Sequence, residues 1–484
     1  MTSITLEHPM AGWTTPYHLL ALEFTQRADE GCVIPSHLRH AFATLHPDLQ
    51  AWDTTAIDPI YDALMELPED AALAANEPNE LAAIRALRPD GPRDLQWKPS
   101  ETELIDRLHG AWVGRASGCA LGKPVEGMGM SLAADGSLAG RKRIKSYLEK
   151  RGHWPLTDYF SGRDMGDELK IGCPLSQREN IAFMEADDDI HYSLVGLGVL
   201  EEHGPTFTWD DVARYWLSHI PIAAICTAEA QSVLNFQNNV ARKHGTTWRW
   251  TGAATASFCR RNRNPYREWI GAQIRSDGWA FCCAGRPEQA AEFAYRDACW
   301  THERNGIYGE MLFAAMQAAA FVEHDPRKLT DIGLSEIPRN CRLAAAVREL
   351  LTWIPQCATW EACMDRIEAR WPDMSAVHTI NNALICIMAL FYGKMDTLQT
   401  QAIAVMGGLD TDCNGATVGS IVGAAAGRQR FRDDLAKPLN DTIKPQMLGF
   451  QEVRMRSLAE RSAVQWQRCG GRVAALRSDS IGSA

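Results

Sequence analysis

Two acidic clusters stand far apart in the chain, each where a polar loop meets a strongly apolar stretch with helical periodicity. The first reads Glu185-Ala186-Asp187-Asp188-Asp189-Ile190, and the second reads Gly407-Gly408-Leu409-Asp410-Thr411-Asp412-Cys413-Asn414. Carboxylates this close together repel one another unless a positive charge lies between them. Oxygen ligands at this density suit Mg²⁺, Mn²⁺ or Ca²⁺ rather than zinc or copper. The clusters therefore predict a fold that closes both stretches around one metal site.

The first cluster also admits a purely structural interpretation. The apolar residues after Asp189 recur with the period of a helix, so the aspartates should lie at a helix N-terminus. Acidic residues are favoured there because they cap the helix and complement its dipole. Only one of three consecutive aspartates can be the N-cap, however, and the excess makes metal ligation as strong an interpretation as capping.

The second cluster points to metal binding more strongly. Asp410 and Asp412 follow the apolar run Thr400–Met406, which is predicted to be buried, so the two carboxylates need a partner. The next helix carries a glycine at every fourth position, and these glycines are Gly415, Gly419, Gly423 and Gly427. This stripe predicts that another backbone packs tightly against the helix, which would make the site rigid from behind.

A third element lies between Gly118 and Glu126. Ser100 and Glu103 match a capping box, so a helix should begin there. Gly122 followed by Pro124 predicts the end of that helix, and Glu126 is then expected in the loop just beyond. A lone glutamate in a loop is usually a solvated charge, and its surroundings alone assign it no role.

Length and periodicity define the predicted architecture. The chain has 484 residues and is 46% hydrophobic, which is enough for a sizeable core and more than one domain. Helical patterns dominate and alternating strand patterns are scarce, so we predict an all-α protein of many helices. Residues 1–99 form a helical extension and linker, residues 100–465 the main domain, and residues 466–484 a flexible tail.

Charge and cysteine content restrict the partners and the compartment. The net charge of −11 argues against nucleic acid and anionic membranes as partners. The basic runs Arg141-Lys142-Arg143, with Lys145, and Arg260-Arg261, with Arg263 and Arg267, are interpreted as solvated faces, and a phosphate contact is the less favoured alternative. The 14 cysteines lack metal-binding spacing and the N-terminus lacks a secretory signal, so we expect reduced thiols in a cytoplasmic protein.

Taken together, the three elements resemble the ADP-ribosylglycohydrolases over roughly residues 101 to 460. Gly118–Glu126 is similar to a family helix end of the form G-x-x-x-G-x-x-x-E. Asp187–Ile190 is similar to a T-D-D-T stretch, and Gly407–Cys413 to a G-G-x-D-T-D-T stretch. The resemblance implies an all-α, multi-helix orthogonal bundle that holds two Mg²⁺ ions, with Mn²⁺ as the alternative, at the base of a cleft.

The resemblance also implies roles for individual residues. The metal ligands would be Asp187, Asp188, Asp189, Asp410, Asp412 and the position of Cys413. Glu126 and Asp188 would be catalytic, with Glu126 a mobile acid, base or gate near the anomeric carbon. Substrate contacts are assigned to Gly127, Arg275, Ser276, Asp277, Gly278, His302, Gly408 and Asn414, although a core role is the preferred interpretation of His302.

Departures from the family pattern leave the substrate open. Asp187 stands at the position of the family's first threonine, and Cys413 replaces the threonine that closes the second motif. A neutral thiol is a poor Mg²⁺ ligand, so the site would differ in polarity and would favour Mn²⁺. A register shifted by one residue would put Ala186 in the first position, without a ligand oxygen.

Three hypotheses of function follow. The first is a Mg²⁺-dependent hydrolase that cleaves the ribosyl glycosidic bond of ADP-ribosylated substrates, with an N-linked or O-linked leaving group. The second is a hydrolase of a small ribosyl or nucleoside-like N-glycoside. The third is a catalytically silent ADP-ribose-binding or structural protein, which is disfavoured because five aspartates without a cation would be costly. The sequence assigns no role to residues 1–100 and no oligomeric state.

Overall fold

The computed structural model describes residues 15–46, 54–163, 170–244, 247–250 and 255–474, with backbone alone from 238 to 250. The extension contains α1 (Pro16–Asp29), α2 (Ser36–Ala43), α3 (Asp58–Met65), α4 (Ala71–Asn76) and α5 (Leu81–Leu87). The main domain begins with α6 (Glu101–Gly122), α7 (Glu126–Gly129), α8 (Gly140–Glu149), α9 (Asp188–His203), α10 (Trp209–His219), α11 (Thr227–Val240), α12 (Ala256–Arg261), α13 (Ser276–Cys282) and α14 (Pro287–Ala298). It continues with α15 (Asn305–Ala320), α16 (Pro326–Leu334), α17 (Arg342–Trp353), α18 (Trp360–Arg370), α19 (Thr379–Tyr392), α20 (Gln399–Met406), α21 (Thr411–Ala426), α22 (Asp433–Ala436) and α23 (Met455–Arg468).

The remaining regular structure is short. Two antiparallel strand pairs occur, β1 (Ala241–His244) with β2 (Thr247–Trp250), and β3 (Thr442–Ile443) with β4 (Val453–Arg454). 3-10 turns occupy Lys123–Val125, Pro174–Ser176, Gly204–Thr206, Ile222–Ala224, Gln273–Arg275, Ile354–Gln356 and Lys437–Leu439. The protein is therefore all-α, as predicted. None of the helices described is long and apolar enough to cross a membrane.

The glycine stripe of α21 packs against a second glycine stripe on α6. A Cβ atom on Gly114 would lie 2.0 Å from the carbonyl oxygen of Gly419, and one on Gly118 would lie 2.0 Å from that of Gly415. The paired positions run in opposite directions, so the two helices are antiparallel. This confirms the predicted close approach, and it brings the C-terminal end of α6 beside the N-terminal end of α21.

Helix caps explain where α6 begins and ends. The Ser100 hydroxyl accepts a hydrogen bond from the Glu103 amide at 3.1 Å, as expected for an N-cap. The helix ends at Gly122, also as predicted. The expectation that Glu126 lies in a loop is wrong, because the turn Lys123–Val125 leads directly into α7, of which Glu126 is the first residue. Proline is tolerated at Pro124 because the first turn of a helix leaves its amide groups unpaired.

The extension has a small core of its own beside the large core of the main domain. Its members are Leu20, Phe24, Leu38, Ile57, Ile60, Tyr61 and Leu64. Contrary to prediction, the basic run at Arg260 is not a solvated face, since Arg260 and Arg267 are buried and Arg267 is ion-paired with Glu23 of the extension at 2.8 Å. A local run of arginines does not reveal that a distant segment supplies the matching carboxylates. The domain boundaries at 99 and 465 remain predictions; α23 extends to Arg468, and residues 475–484 of the predicted tail lie outside the described residues.

Candidate metal centre and substrate cleft

A cavity of about 550 Å³ opens where the two acidic clusters meet. Its acidic residues are Glu126, Asp188, Glu229, Asp373, Asp410 and Asp412. The other lining residues include Met130, Leu132, Leu138, Trp269, Ile270, Gly271, Ile274, Met374, Val377 and Cys413. The cavity thus combines an acidic floor with mostly apolar walls, which is the usual composition of a small-molecule site.

The first cluster lies at the N-terminus of α9. Asp187 is the N-cap, and its carboxylate accepts a hydrogen bond from the Asp189 amide at 2.9 Å. It also forms an ion pair with Lys123 at 3.0 Å. Asp189 is fully buried and ion-paired with Arg115 at 2.6 Å, whereas Asp188 lines the cavity. Capping and cluster formation are therefore compatible, because the capping carboxylate is also part of the acidic group.

The second cluster lies at the N-terminus of α21, where Asp410 is the N-cap. The side-chain oxygen of Asn382 accepts hydrogen bonds from the Asp410 amide at 3.2 Å and from the Asn414 side chain at 2.8 Å. The Thr411 hydroxyl donates to the carbonyl oxygen of Gly122 at 2.8 Å, which ties this cluster to the end of α6. These bonds fix the backbone from which Asp410 and Asp412 project.

The two clusters meet in space. Oxygen atoms of Asp187, Asp189 and Asp412 and the sulfur of Cys119 all lie within 4.8 Å of one another. A second group with the same spacing contains Asp410, Asp412 and Cys413, so Asp412 belongs to both. Both registers of the first motif place Asp187 at a ligand position, so its participation leaves the register a prediction. Asp188 belongs to neither group and faces the cavity.

Cys413 serves as a hydrogen-bond donor in this arrangement. Its sulfur lies 3.1 Å from Oδ2 of Asp189, and burial raises the pKa of the thiol well above its usual value. The neutral thiol therefore donates to the carboxylate of the other cluster. A hydroxyl replaced by a thiol at this position keeps a donor but loses a hard oxygen ligand.

Mutual repulsion dominates the electrostatics of the floor. Burial, together with the neighbouring carboxylates of Asp187 and Asp412, raises the pKa of Asp188 well above its usual value. Burial and the carboxylate of Asp412 do the same for Asp410. The pKa of Asp412 itself rises to about 6, mainly through burial. Such a group of carboxylates must take up either protons or cations.

The donor set fits a divalent cation. Oδ1 of Asp410 is buried and has no hydrogen-bond partner, although it lies in one of the two acidic groups. An unsatisfied carboxylate oxygen in a buried site is costly unless a cation or proton meets it. Lys123 and Arg115 supply positive charge at the side of Asp187 and Asp189, which leaves the Asp410–Asp412 side without a paired cationic side chain among the described residues.

Glu126 completes the acidic floor. It is the first residue of α7 and follows directly from the end of α6, so the glycine contacts of α6 with α21 bring it close to Asp412. The carboxylate of Asp412 and burial raise the pKa of Glu126 to about 10. At neutral pH, and with no cation bound, this side chain therefore carries a proton.

The predicted segment Arg275–Gly278 does not line the cavity. Arg275 is fully buried and forms ion pairs with Glu229 at 2.7 Å and Asp297 at 2.9 Å. Asp277 is fully buried and pairs with Arg115 at 3.1 Å. Ser276 is also fully buried, and a Cβ on Gly278 would lie 2.3 Å from the carbonyl oxygen of Ser193 in α9. The segment supports the floor from behind instead of contacting a ligand.

The other predicted substrate contacts also lie outside the cavity lining. Burial lowers the pKa of His302 well below its usual value, and its Nδ1 is 2.8 Å from the Thr301 hydroxyl, in agreement with the preferred core role. Asn414 is fully buried. Gly127 is exposed on α7, and Gly408 has a φ of +79°, where glycine is favoured in the turn before Asp410.

Several residues of the site were missed by the sequence reasoning. Lys123 stands inside the glycine motif that ends at Glu126, and Arg115 is the one charged residue of the run Gly110–Gly122, so both had a local signal. Asn382 and Trp269 had none. Glu229 had no local signal either. It lines the cavity and is ion-paired with Arg275, and burial raises its pKa to about 7.

Comparison with known proteins gives one family. A model of the ADP-ribosylglycohydrolase family matches residues 100–470. No curated protein matches the chain by sequence. Among solved structures, a chain titled "ADP-ribosylglycohydrolase-related protein complex" is similar at 17% identity, covering 76% of this chain and 99% of that chain with a TM-score of 0.44.

Proposed function

The chain belongs to the ADP-ribosylglycohydrolase family of glycosyl hydrolases, and on that premise we propose that it hydrolyses the ribosyl glycosidic bond of ADP-ribosylated substrates with Mg²⁺ as its cofactor. The observation that carries the proposal is the meeting of Glu126 with both aspartate clusters at the floor of one cavity. The match over 100–470 supports the reaction class. The metal and the substrate are the proposed parts.

Four aspartates would hold the cations, namely Asp187, Asp189, Asp410 and Asp412. Bound divalent cations would supply the positive charge that the floor lacks and would polarise oxygen atoms of a ligand or of water. The chain keeps these carboxylates in place without help from the cation: Arg115 holds Asp189 at 2.6 Å, and Asn382 holds the backbone of Asp410 at 3.2 Å. Mn²⁺ is the alternative because of the substitution at Cys413.

Glu126 and Asp188 would act on the substrate. Water adds to the anomeric carbon while the bond to the leaving nitrogen or oxygen breaks. Glu126, whose pKa lies above neutral, donates its proton to the leaving atom. Asp188 lines the cavity beside it; with cations bound at the neighbouring aspartates it would be ionised, would accept a hydrogen bond from the attacking water and would take up the released proton. Both roles are proposals from position and charge.

The walls would bind the rest of the ligand. A cavity of about 550 Å³ lies within the usual range for small-molecule sites. Trp269 offers an aromatic face, and the aliphatic side chains of Met130, Leu138 and Val377 exclude water from the floor. Exclusion of water strengthens every electrostatic interaction at the acidic floor, because the local dielectric constant falls.

The test is release of free ADP-ribose from ADP-ribosylated arginine, with a nucleoside panel in parallel. We expect hydrolysis of the first substrate in Mg²⁺ or Mn²⁺ and a rate about 10²–10⁴-fold lower for Glu126→Gln. Glu460→Gln is the matched control, because Glu460 forms an exposed ion pair with Arg456 on α23. Activity on nucleosides alone would favour the small-glycoside hypothesis, and a chain that binds no divalent cation at millimolar concentration would favour the silent one.

A further inference from the structure

The extension is locked onto the main domain by buried ion pairs. Arg267 is fully buried and contacts Glu23 of α1 at 2.8 Å and Glu30 at 2.7 Å. Arg342 bridges Glu77 of the extension and Glu268 of the main domain, at 2.8 Å in each case. Breaking a buried pair leaves an uncompensated charge, so the extension does not detach without a large cost. It is a fixed part of the molecule although it lies outside residues 100–470.

The locked segment continues into the cleft wall. Leu19 and Leu22 of α1 pack with Tyr266 and Trp269. Trp269 in turn lines the cavity above the acidic floor. One residue therefore contacts the extension on one side and the candidate substrate cleft on the other. The extension is thus part of the structure that positions the cleft wall.

A second cavity of about 380 Å³ lies between α1 and the turn after α18, and we call it the extension cavity. The extension contributes Leu22, Thr25, Gln26 and Asp29 to its lining, and the main domain contributes Pro265, Trp269, Arg370, Trp371, Pro372, Asp373, Met374, Ser375 and His378. Five of these residues also line the cleft, namely Trp269, Pro372, Asp373, Met374 and Ser375. The two cavities therefore share a wall formed by these five residues.

Two buried residues of the extension cavity, His378 and Gln26, each have one side-chain polar atom without a hydrogen-bond partner among the described residues. His378 is 4% exposed; its Nδ1 accepts the amide of Ile380 at 3.1 Å, and burial lowers its pKa to about 4. The ring is therefore neutral with the proton on Nε2, which has no acceptor among the described residues. Gln26 is also 4% exposed, and its amide nitrogen donates to Glu30 and Glu268, which leaves its oxygen free to accept.

The charged residues that line the extension cavity decide which charge a ligand there must carry. The carboxylates of Asp29 and Asp373 line the cavity and have no ion-pair partner among the described residues. Arg370 is the cationic side chain of the lining, and Glu349 pairs with it at 3.4 Å. The cavity is therefore net negative, which repels the diphosphate of an ADP-ribosyl group and attracts a positively charged one.

We propose that the extension cavity is a second substrate subsite, which binds a basic polypeptide segment next to the modified residue of the leaving group. Asp29 and Asp373 accept hydrogen bonds from the cationic side chain. Gln26 and His378 offer an acceptor and a donor to the peptide backbone, and the indoles of Trp269 and Trp371 provide apolar surface. The proposal rests on the proposed hydrolase function, and it makes residues 15–99 a determinant of substrate choice.

The first experiment fills the extension cavity and compares two substrates. Thr25→Trp places a large ring in the cavity, and Ala28→Trp places the same ring on an exposed position of α1 outside the lining. The readout is kcat/KM for an ADP-ribosylated arginine peptide flanked by lysines, relative to ADP-ribosylated agmatine. We expect Thr25→Trp to lower this ratio at least tenfold and Ala28→Trp to change it less than twofold. An unchanged ratio in Thr25→Trp overturns the proposal.

The second experiment measures binding without catalysis, so that it remains decisive if neither substrate is hydrolysed. Titration calorimetry compares an unmodified peptide that carries lysines with its glutamine counterpart. Wild type should bind the lysine peptide at least tenfold more tightly, and the double variant Asp29→Asn with Asp373→Asn should lose that preference. Equal affinity of wild type for both peptides contradicts the subsite. Absence of hydrolysis together with a retained preference contradicts the proposed function alone.

Discussion

Substitution of Gly118 by alanine tests whether the glycine contact of α6 with α21 builds the candidate metal centre. The added Cβ would lie 2.0 Å from the carbonyl oxygen and 2.4 Å from the carbonyl carbon of Gly415. Ordinary contacts between such atoms are about 3.5 Å, so the helices must separate locally by roughly 1.5 Å. Both clashing atoms belong to the backbone, and no side chain can rotate away to relieve the clash.

The expected cost follows from two opposing effects. Alanine is better than glycine in a helix by about 1 kcal/mol, which favours the variant. Overpacking of a tight contact costs about 1–3 kcal/mol and sometimes more, and a clash between backbones lies at the upper end. We therefore expect the free energy of unfolding to fall by about 2 kcal/mol. Gly172→Ala is the control, because the nearest atom to its added Cβ is 3.8 Å away.

The same shift should damage the acidic floor. Movement of α6 relative to α21 displaces Glu126 from Asp412, and a misplacement of about 1 Å can cost on the order of 10²-fold in activity. The assays are urea unfolding in chelator and Mn²⁺ binding followed by the electron paramagnetic resonance signal of free Mn²⁺. We expect both the unfolding midpoint and the affinity to fall. Wild-type values of both for Gly118→Ala would refute the reasoning.

Three further predictions concern charge. Lys123→Met removes the ion pair to Asp187, so it should lower the melting temperature measured in chelator. Saturating Mn²⁺ should restore most of the lost melting temperature. An equal decrease in chelator and in Mn²⁺ would contradict this prediction. Because burial raises the pKa of Asp410 well above its usual value and that of Asp412 to about 6, binding of Mg²⁺ or Mn²⁺ to these carboxylates at pH 6 should release protons, which calorimetry in buffers of different ionisation enthalpy measures; a buffer-independent heat would count against it. Burial alone would raise the pKa values of Glu30 and Glu268, but the guanidinium groups of Arg267 and Arg342 respectively outweigh it and lower both to about 2. The stabilisation that these two carboxylates give is therefore complete above 4.5, the ordinary pKa of a glutamate, and is lost as the pH falls towards 2. Between these two pH values, proteolysis should cut the extension before it cuts the main domain. Resistance of the extension to proteolysis over this whole range would contradict the prediction.

Local patterns were sufficient to predict that the two acidic clusters meet in the fold and that α6 ends at Gly122. Each depends on a rule that acts over a few residues: like charges need a counter-charge, and glycine followed by proline ends a helix. The glycine stripe of α21 likewise predicted a close neighbour. It could not identify α6 as that neighbour, because a repeat of four residues marks a contact face without naming the helix that meets it.

Long-range pairing explains what the sequence did not predict. Arg275 and Asp277 stand in a polar segment before a helix, which is equally typical of a cleft wall and of a buried support. Their partners, Glu229 and Arg115, come from distant parts of the chain, and only the folded structure shows that the charges cancel internally. The same reason applies to Arg267, whose partners lie in the extension.

Packing and electrostatics of the candidate site cannot be varied independently. Arg115 stands between Gly114 and Gly118 on α6, so the helix that makes the close backbone contact also carries the guanidinium that holds Asp189. A side chain that separated α6 from α21 would therefore move Arg115 as well as Glu126. Asp277 would then lose its ion pair with Arg115, which contacts it at 3.1 Å, and would keep its hydrogen bonds from Ser193 and Ser420. The glycines of α6 thus act on both aspartate clusters at once, through contact with α21 and through the position of Arg115.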